Sequence, residues 1–176
     1  MTESDRKRPM PQVTIYTDGG CIDNPGPGGY GAVLLYGKNR KEITGGYRLT
    51  TNNRMELIAC IKGLEALKYP CRVTIHSDSR YVVDGIEKGW AKRWRGRGWM
   101  RNDKEPARNA DLWSRLLDLR ETHRVNFQWV RGHAGNPENE RCDQLATEGA
   151  RRPDLPADTL YERGRTDGMA AVKGAN

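Results

Sequence analysis

The chain has no apolar run approaching the about 18 residues that a membrane-spanning helix needs. Met1 to Met10 also lacks the apolar middle of a secretory leader. Cys21, Cys60, Cys71 and Cys142 contain no C-x-x-C spacing, which removes the usual zinc and dithiol redox frameworks. Scattered among apolar or motif positions, they read as free, buried or half-buried thiols in a reducing cytoplasm. The glycine-rich stretch Asn24-Pro-Gly-Pro-Gly-Gly is followed by no Gly-Lys-Ser/Thr and opens no helix, so it is not a phosphate loop. It reads as a hairpin turn, with a close approach of bare backbone to a nucleic acid as the alternative. There is no internal repeat. Residues 151–176 hold little apolar content and are expected to form a disordered or loosely attached tail.

What remains is one domain of roughly 140 to 150 ordered residues, long enough for a proper core. It spans residues 11–150 behind a polar extension at 1–10. The formal net charge is +7, and most of that excess is local. Between Gly85 and Arg101 the chain carries Lys88, Lys92, Arg93, Arg95, Arg97 and Arg101 against Glu87 alone, interleaved with Trp90, Trp94 and Trp99. Cations alone would mean a solvated face and tryptophans alone a core. Together they predict a helix anchored by its aromatics that presents a basic ridge to phosphates.

Hydrophobic phase sets out the elements. Val13 to Thr17 alternates as a strand ending at Asp18, and Tyr30 to Tyr36 and Lys41 to Tyr47 continue an antiparallel meander. Asn53 to Lys68 is helical in pattern and is stopped by Pro70. Arg72 to Ser77 is a strand with the same phase as the first, so a right-handed crossover would make them parallel neighbours. Their carboxyl ends then bring Asp18 and Asp78 together, where open α/β sheets place active sites. Helices follow at Ser79 to Ile86 and Ala110 to Thr122, a short strand at Val125 to Val130, and a helix from Pro137 to about Ala150, opened by Asn136 as cap.

Four acids stand out: Asp18, Glu56, Asp78 and Asp143. Each has an ordinary alternative. Asp18 before Gly-Gly suits a turn, Glu56 three residues after Asn53 suits a capping box, Asp78 suits a helix cap, and Asp143 suits a solvated helix face. Gathered in one pocket, four carboxylates would repel unless cations neutralised them. Oxygen ligands in that number suit Mg²⁺ or Mn²⁺, and paired ions of this kind serve phosphodiester hydrolysis. His133, in a loop before the last helix, is a structural or solvated residue on its own. Beside a metal cluster an imidazole suits proton transfer.

Several motifs in sequence order resemble the bacterial type I ribonucleases H. They are Thr17-Asp18-Gly19-Gly20-Cys21, Asn24 to Gly31, Thr51-Asn52-Asn53-Arg54-Met55-Glu56, Ser77-Asp78-Ser79, Trp129 to Gly135, and Asn139 to Asp143. The resemblance runs from about Gln12 to Ala150. It implies a five-stranded mixed sheet of order 3-2-1-4-5, strand 2 antiparallel, with helices on both faces. It implies an endonuclease that cuts RNA paired with DNA, leaving 5′-phosphate and 3′-hydroxyl ends. Two Mg²⁺ ions would be bound with substrate, Mn²⁺ being a substitute, and the protein would act as a cytoplasmic monomer.

Carried over, the resemblance makes Asp18, Glu56, Asp78 and Asp143 metal ligands and His133 the mobile-loop histidine. Asn24, Asn52, Asn53 and the backbone at Gly19 and Cys21 would meet the minor groove near the RNA 2′-hydroxyls. Thr51 and Asn109 would grip a DNA-strand phosphate, Trp90 would pack on a DNA sugar, and Trp94, Arg93, Arg95 and Arg97 would belong to the basic protrusion. Two departures are visible: Arg80 stands where the family carries a glutamine, and Leu49 where some relatives carry a phosphate-binding arginine. Two rivals, a transposase-like nuclease and a catalytically silent binding module, fit less well. The Asn-Asn-Arg-Met-Glu and Gly-His-Ala-Gly motifs oppose the first, and the presence of all four acids opposes the second.

Overall fold

The computed structural model describes residues 2, 3 and 9–166. Five strands form one mixed sheet: β1 (Gln12–Cys21), β2 (Gly26–Tyr36), β3 (Asn39–Thr50), β4 (Arg72–Ser77) and β5 (Arg124–Trp129). Among residues 9–166 six helices accompany them: α1 (Asn52–Glu65), α2 (Arg80–Glu87), α3 (Trp90–Gly96), α4 (Ala110–Thr122), α5 (Pro137–Ala150) and α6 (Thr159–Thr166). The strand order is β3-β2-β1-β4-β5, with β1 and β2 antiparallel and β1, β4 and β5 parallel. This is the architecture expected from the sequence. No helix of the described residues is long and apolar enough to cross a membrane.

Alternation along the strands builds two buried faces. Ile15, Val73 and Ile75 pack with Leu57 and Leu64 of α1 and with Trp113 and Leu116 of α4, all fully buried. On the opposite face α5 covers β2 and β1, with Cys142 and Leu145 against Val33 and Tyr16. The parallel register pairs Thr17 with Ser77. Asp18 and Asp78, the next residues of the two chains, therefore emerge side by side at the carboxyl edge.

Three expectations require correction. The glycine run is not a hairpin turn: the turn lies before Gly26, and Gly28, Gly29 and Gly31 are inside β2. They are bare because α5 lies on them. A Cβ at Gly29 would fall 1.9 Å from the Ala146 carbonyl oxygen, and one at Gly31 would fall 2.6 Å from that of Cys142. β1 also continues beyond Asp18 to Cys21, since β2 pairs with it as far as Cys21 with Gly28.

The third correction concerns the C-terminal segment, which is ordered to Thr166 and packed on the domain. Asp158 and Tyr161 are buried. The Asp158 carboxylate accepts from Arg54 Nε at 2.7 Å, Arg54 Nη2 at 3.0 Å and Thr50 Oγ1 at 2.7 Å. Arg54 also pairs with Asp111 at 2.8 Å, so one buried guanidinium joins α1, α4 and the C-terminal segment. Arg48 N–H donates to the Pro156 carbonyl, and its side chain pairs with Glu162. Mean composition of the segment conceals this pairing. The rest of the expected tail, 167–176, and most of the N-terminal extension lie outside the described residues.

Candidate active site

A cleft of about 380 Å³ opens at the carboxyl edge of the sheet, lined by Asp18, Glu56, Asp78, Asp143 and His133 together with Gly19, Cys21 and Asn52. Each acid is delivered by a different element. Asp18 comes from β1 and Asp78 from the end of β4. Glu56 comes from the second turn of α1, whose N-cap is Thr51, accepting from Arg54 N–H at 3.2 Å. Glu56 is thus too far along the helix to close a capping box, and the turn geometry leaves its carboxylate for the cleft. Gly19 explains how β1 reaches it: a Cβ there would lie 2.4 Å from the Met55 carbonyl carbon, so only glycine lets the strand and helix meet.

Asp18, Glu56 and Asp78 can place one oxygen each within 4.8 Å of one another. Asp143 lines the same cleft from α5 but stands outside that tight group. Burial, followed by the charge of Asp78, pushes the Asp18 carboxyl up to about 7. Burial also holds Glu56 well above the usual carboxylate range, with Asp18 and Asp78 adding to it. Glu56 Oε2 is buried and has no hydrogen-bond partner. A buried acceptor without a donor is costly, and clustered carboxylates compound the cost. A divalent cation would relieve both, so the donor set fits hard-metal binding.

The rim is pre-arranged by hydrogen bonds. Cys21 N–H donates to Asn52 Oδ1 at 2.8 Å, and Asn52 N–H donates to Asn24 Oδ1 at 3.1 Å. The Asn52 side-chain NH₂ is left outside this chain of bonds, at the cleft wall. His133 is exposed and has φ 56°, in a loop that also holds Gly135 at φ 87°. The base of that loop is close-packed: a Cβ at Gly132 would meet Asp78 Oδ2 at 2.8 Å.

The chain belongs to the RNase H family. The RNase H family model matches residues 10–151. Ribonuclease H of Syntrophus aciditrophicus is 64% identical over 155 residues, covering 88% of this chain and 90% of that one. Among solved structures, LC9-RNase H1, a type 1 RNase H with the type 2 active-site motif, superposes with a TM-score of 0.74 at 31% identity, covering 94% of this chain and 87% of that one. LC11-RNase H1, solved in complex with an RNA/DNA hybrid, gives a TM-score of 0.61 at 23% identity, covering 78% and 96%. RNase H enzymes are nucleases that cleave the RNA strand of RNA–DNA hybrids.

Other expected site residues lie elsewhere. Thr51 is fully buried as the cap of α1, its hydroxyl accepting from the Arg54 backbone N–H, while Asn109 accepts from Arg54 Nη1 and donates to the Tyr81 hydroxyl. Asn53 is half-buried in the first turn of α1. The basic ridge is two helices rather than one, broken at Gly89 with φ 75°. Trp94 sits edge-on to Trp113, 6.1 Å between ring centres, and anchors the ridge. Arg95 is tied to Asp118 and Glu121 of α4. Trp90 lies beneath the Lys88 ammonium at 5.6 Å, Arg93 donates to the Lys88 carbonyl, and Arg97 is exposed. Sequence reading missed Thr147 and Arg151 at the cleft wall. They follow Asp143 by one and two helical turns, so helical periodicity was the available signal.

Proposed function

We propose that the chain hydrolyses the RNA strand of RNA–DNA hybrids in this cleft with two Mg²⁺ ions, leaving a 5′-phosphate and a 3′-hydroxyl. The observation that carries the reading is the buried, unpartnered Glu56 Oε2 within a group of three carboxylates, in a chain of the RNase H family. Asp18, Glu56 and Asp78 hold the cations, and Asp143 completes the set from α5. When bound, the ions lower the pKa of the attacking water and stabilise the departing 3′-oxygen. Mn²⁺ satisfies the same oxygen donors.

The chain's own groups supply the rest. His133, on its exposed loop, moves a proton to or from the reacting oxygens through its imidazole. Asn52, fixed by Cys21 and Asn24, offers its free amide to a 2′-hydroxyl, the group that separates RNA from DNA. Asn53 and the Gly19 backbone support the same contact. Asn109 meets a phosphate of the DNA strand, Thr51 being fully buried as the cap of α1 and shaping that corner rather than touching it, while Trp90, Arg93 and Arg97 follow that strand along the ridge. Cleft and ridge on a single chain support action as a monomer. The cysteines, free and mostly buried, agree with a reducing cytoplasm. Titration calorimetry with Mg²⁺ and Ca²⁺ tests the metal assignment: Asp18→Asn should lose binding that wild type retains, and equal binding by both would overturn it.

A further inference from the structure

Arg80 opens α2 two residues beyond Asp78 and is exposed. Its guanidinium carbon lies 3.9 Å from the centre of the Trp129 ring, much closer than the 5.6 and 5.8 Å of Lys88 over Trp90 and Arg54 over Tyr161. Trp129 is the last residue of β5, and its Nε1–H donates to the Asp78 backbone carbonyl at 3.1 Å. The ring is therefore bonded to the chain that carries a cleft acid, and the guanidinium lies over that ring.

Stacking occupies one face of a guanidinium and none of its five N–H donors. Arg40, Arg48, Arg54, Arg95, Arg101 and Arg141 all pair with carboxylates, but among the described residues no acidic side chain lies within ion-pair distance of Arg80. The stack also explains how a cation can sit so near Asp78 in sequence without neutralising it. What results is a guanidinium held over an aromatic ring with its donors free, two residues beyond Asp78. The planar fork of a guanidinium matches two oxygens of one phosphate.

We propose that Arg80, held by Trp129, clamps a phosphate of the RNA strand adjacent to the scissile one. The proposal rests on the function given above and adds a contact to it. Trp129 is a positioning residue that acts through Arg80.

The test uses a DNA duplex strand carrying four ribonucleotides opposite DNA, which confines cleavage to that short run, with the cut mapped first and single neutral methylphosphonates then placed in turn at the linkages flanking it. Arg80→Gln should raise KM for the unmodified substrate about tenfold, with a smaller change in kcat, and flatten the salt slope of log affinity by about 0.7 to 0.9. One flanking methylphosphonate should cost wild type a similar factor and cost Arg80→Gln nothing further. Trp129→Phe, which keeps an aromatic face, should retain most of the affinity that Trp129→Leu loses. The proposal is overturned if every methylphosphonate costs Arg80→Gln as much as wild type, or if non-additivity appears with a 2′-deoxy substitution instead. Failure of wild type to cut the unmodified substrate in Mg²⁺ would overturn the functional reading, a separate result.

Discussion

Asp18 is held near neutrality by its own surroundings, and that has consequences for both activity and stability. Its carboxyl is raised from 3.8 to about 7, first by burial and then by Asp78. A raised carboxyl makes the folded state bind more protons than the unfolded state between those two values. The contribution of Asp18 to the stability of the metal-free protein therefore falls as pH rises from about 4 to 7. Asp18→Asn keeps the shape and removes the charge. It should raise the melting temperature of the metal-free protein at pH 7 by at least about 2 °C while nearly abolishing hybrid cleavage. A lower melting temperature, or activity above a tenth of wild type, would contradict the assignment. His133→Ala should be milder, because positioned acid–base help is typically worth about 10² to 10⁴-fold and water partly substitutes. Single-turnover rates at saturating Mg²⁺ separate the two variants, and equal losses would make His133 a ligand rather than a proton carrier. At this scale the acids were legible because strand phase and motif agree on them. The outlying position of Asp143 was not, since it depends on how closely α5 rides over Gly29 and Gly31.

At the scale of elements, the C-terminal segment is a structural part of the domain. Arg54 and Asp158 have side chains only 5% and 7% exposed and hold each other by two hydrogen bonds. Removing one partner of such a buried pair typically costs about 3–5 kcal/mol, because the other is left charged and unpaired. Truncation after Ala150 should destabilise the domain by at least that much in urea denaturation, and Asp158→Ala should account for most of it. An unchanged midpoint for the truncated chain would return 151–166 to the status of a loose tail. Composition could not reveal this, because it averages a buried aspartate with its exposed neighbours. The ridge is a second case. Its charge was plain in the sequence, whereas the pairing of Arg95 with Asp118 and Glu121 depends on where α4 packs. Lys92, Arg93 and Arg97 changed together to alanine should therefore raise KM and flatten the salt dependence by about 0.7 to 0.9 per lost phosphate contact. Arg95→Ala alone should do much less. Fluorescence anisotropy across a salt series decides it.

Over the whole molecule, one sheet edge organises the chemistry. The shared phase of β1 and β4 predicted that edge, and the register of Thr17 with Ser77 delivers Asp18 and Asp78 to it. α1 and α5 then close on the edge from opposite faces, each through glycines that admit a backbone where a side chain would not fit. The ridge lies outside the cleft, so grip on the duplex and hydrolysis of one strand are assigned to separate parts of the surface. The central claim is that four carboxylates cut RNA only when it is paired with DNA. The direct measurement is to incubate labelled RNA–DNA hybrid, RNA duplex and DNA duplex with the protein, with and without Mg²⁺, and to analyse the ends. Cleavage of the hybrid's RNA strand alone, only with Mg²⁺ and leaving 5′-phosphate and 3′-hydroxyl ends, is the predicted result. Cleavage without divalent metal, or equal cleavage of the RNA or DNA duplex, would contradict it.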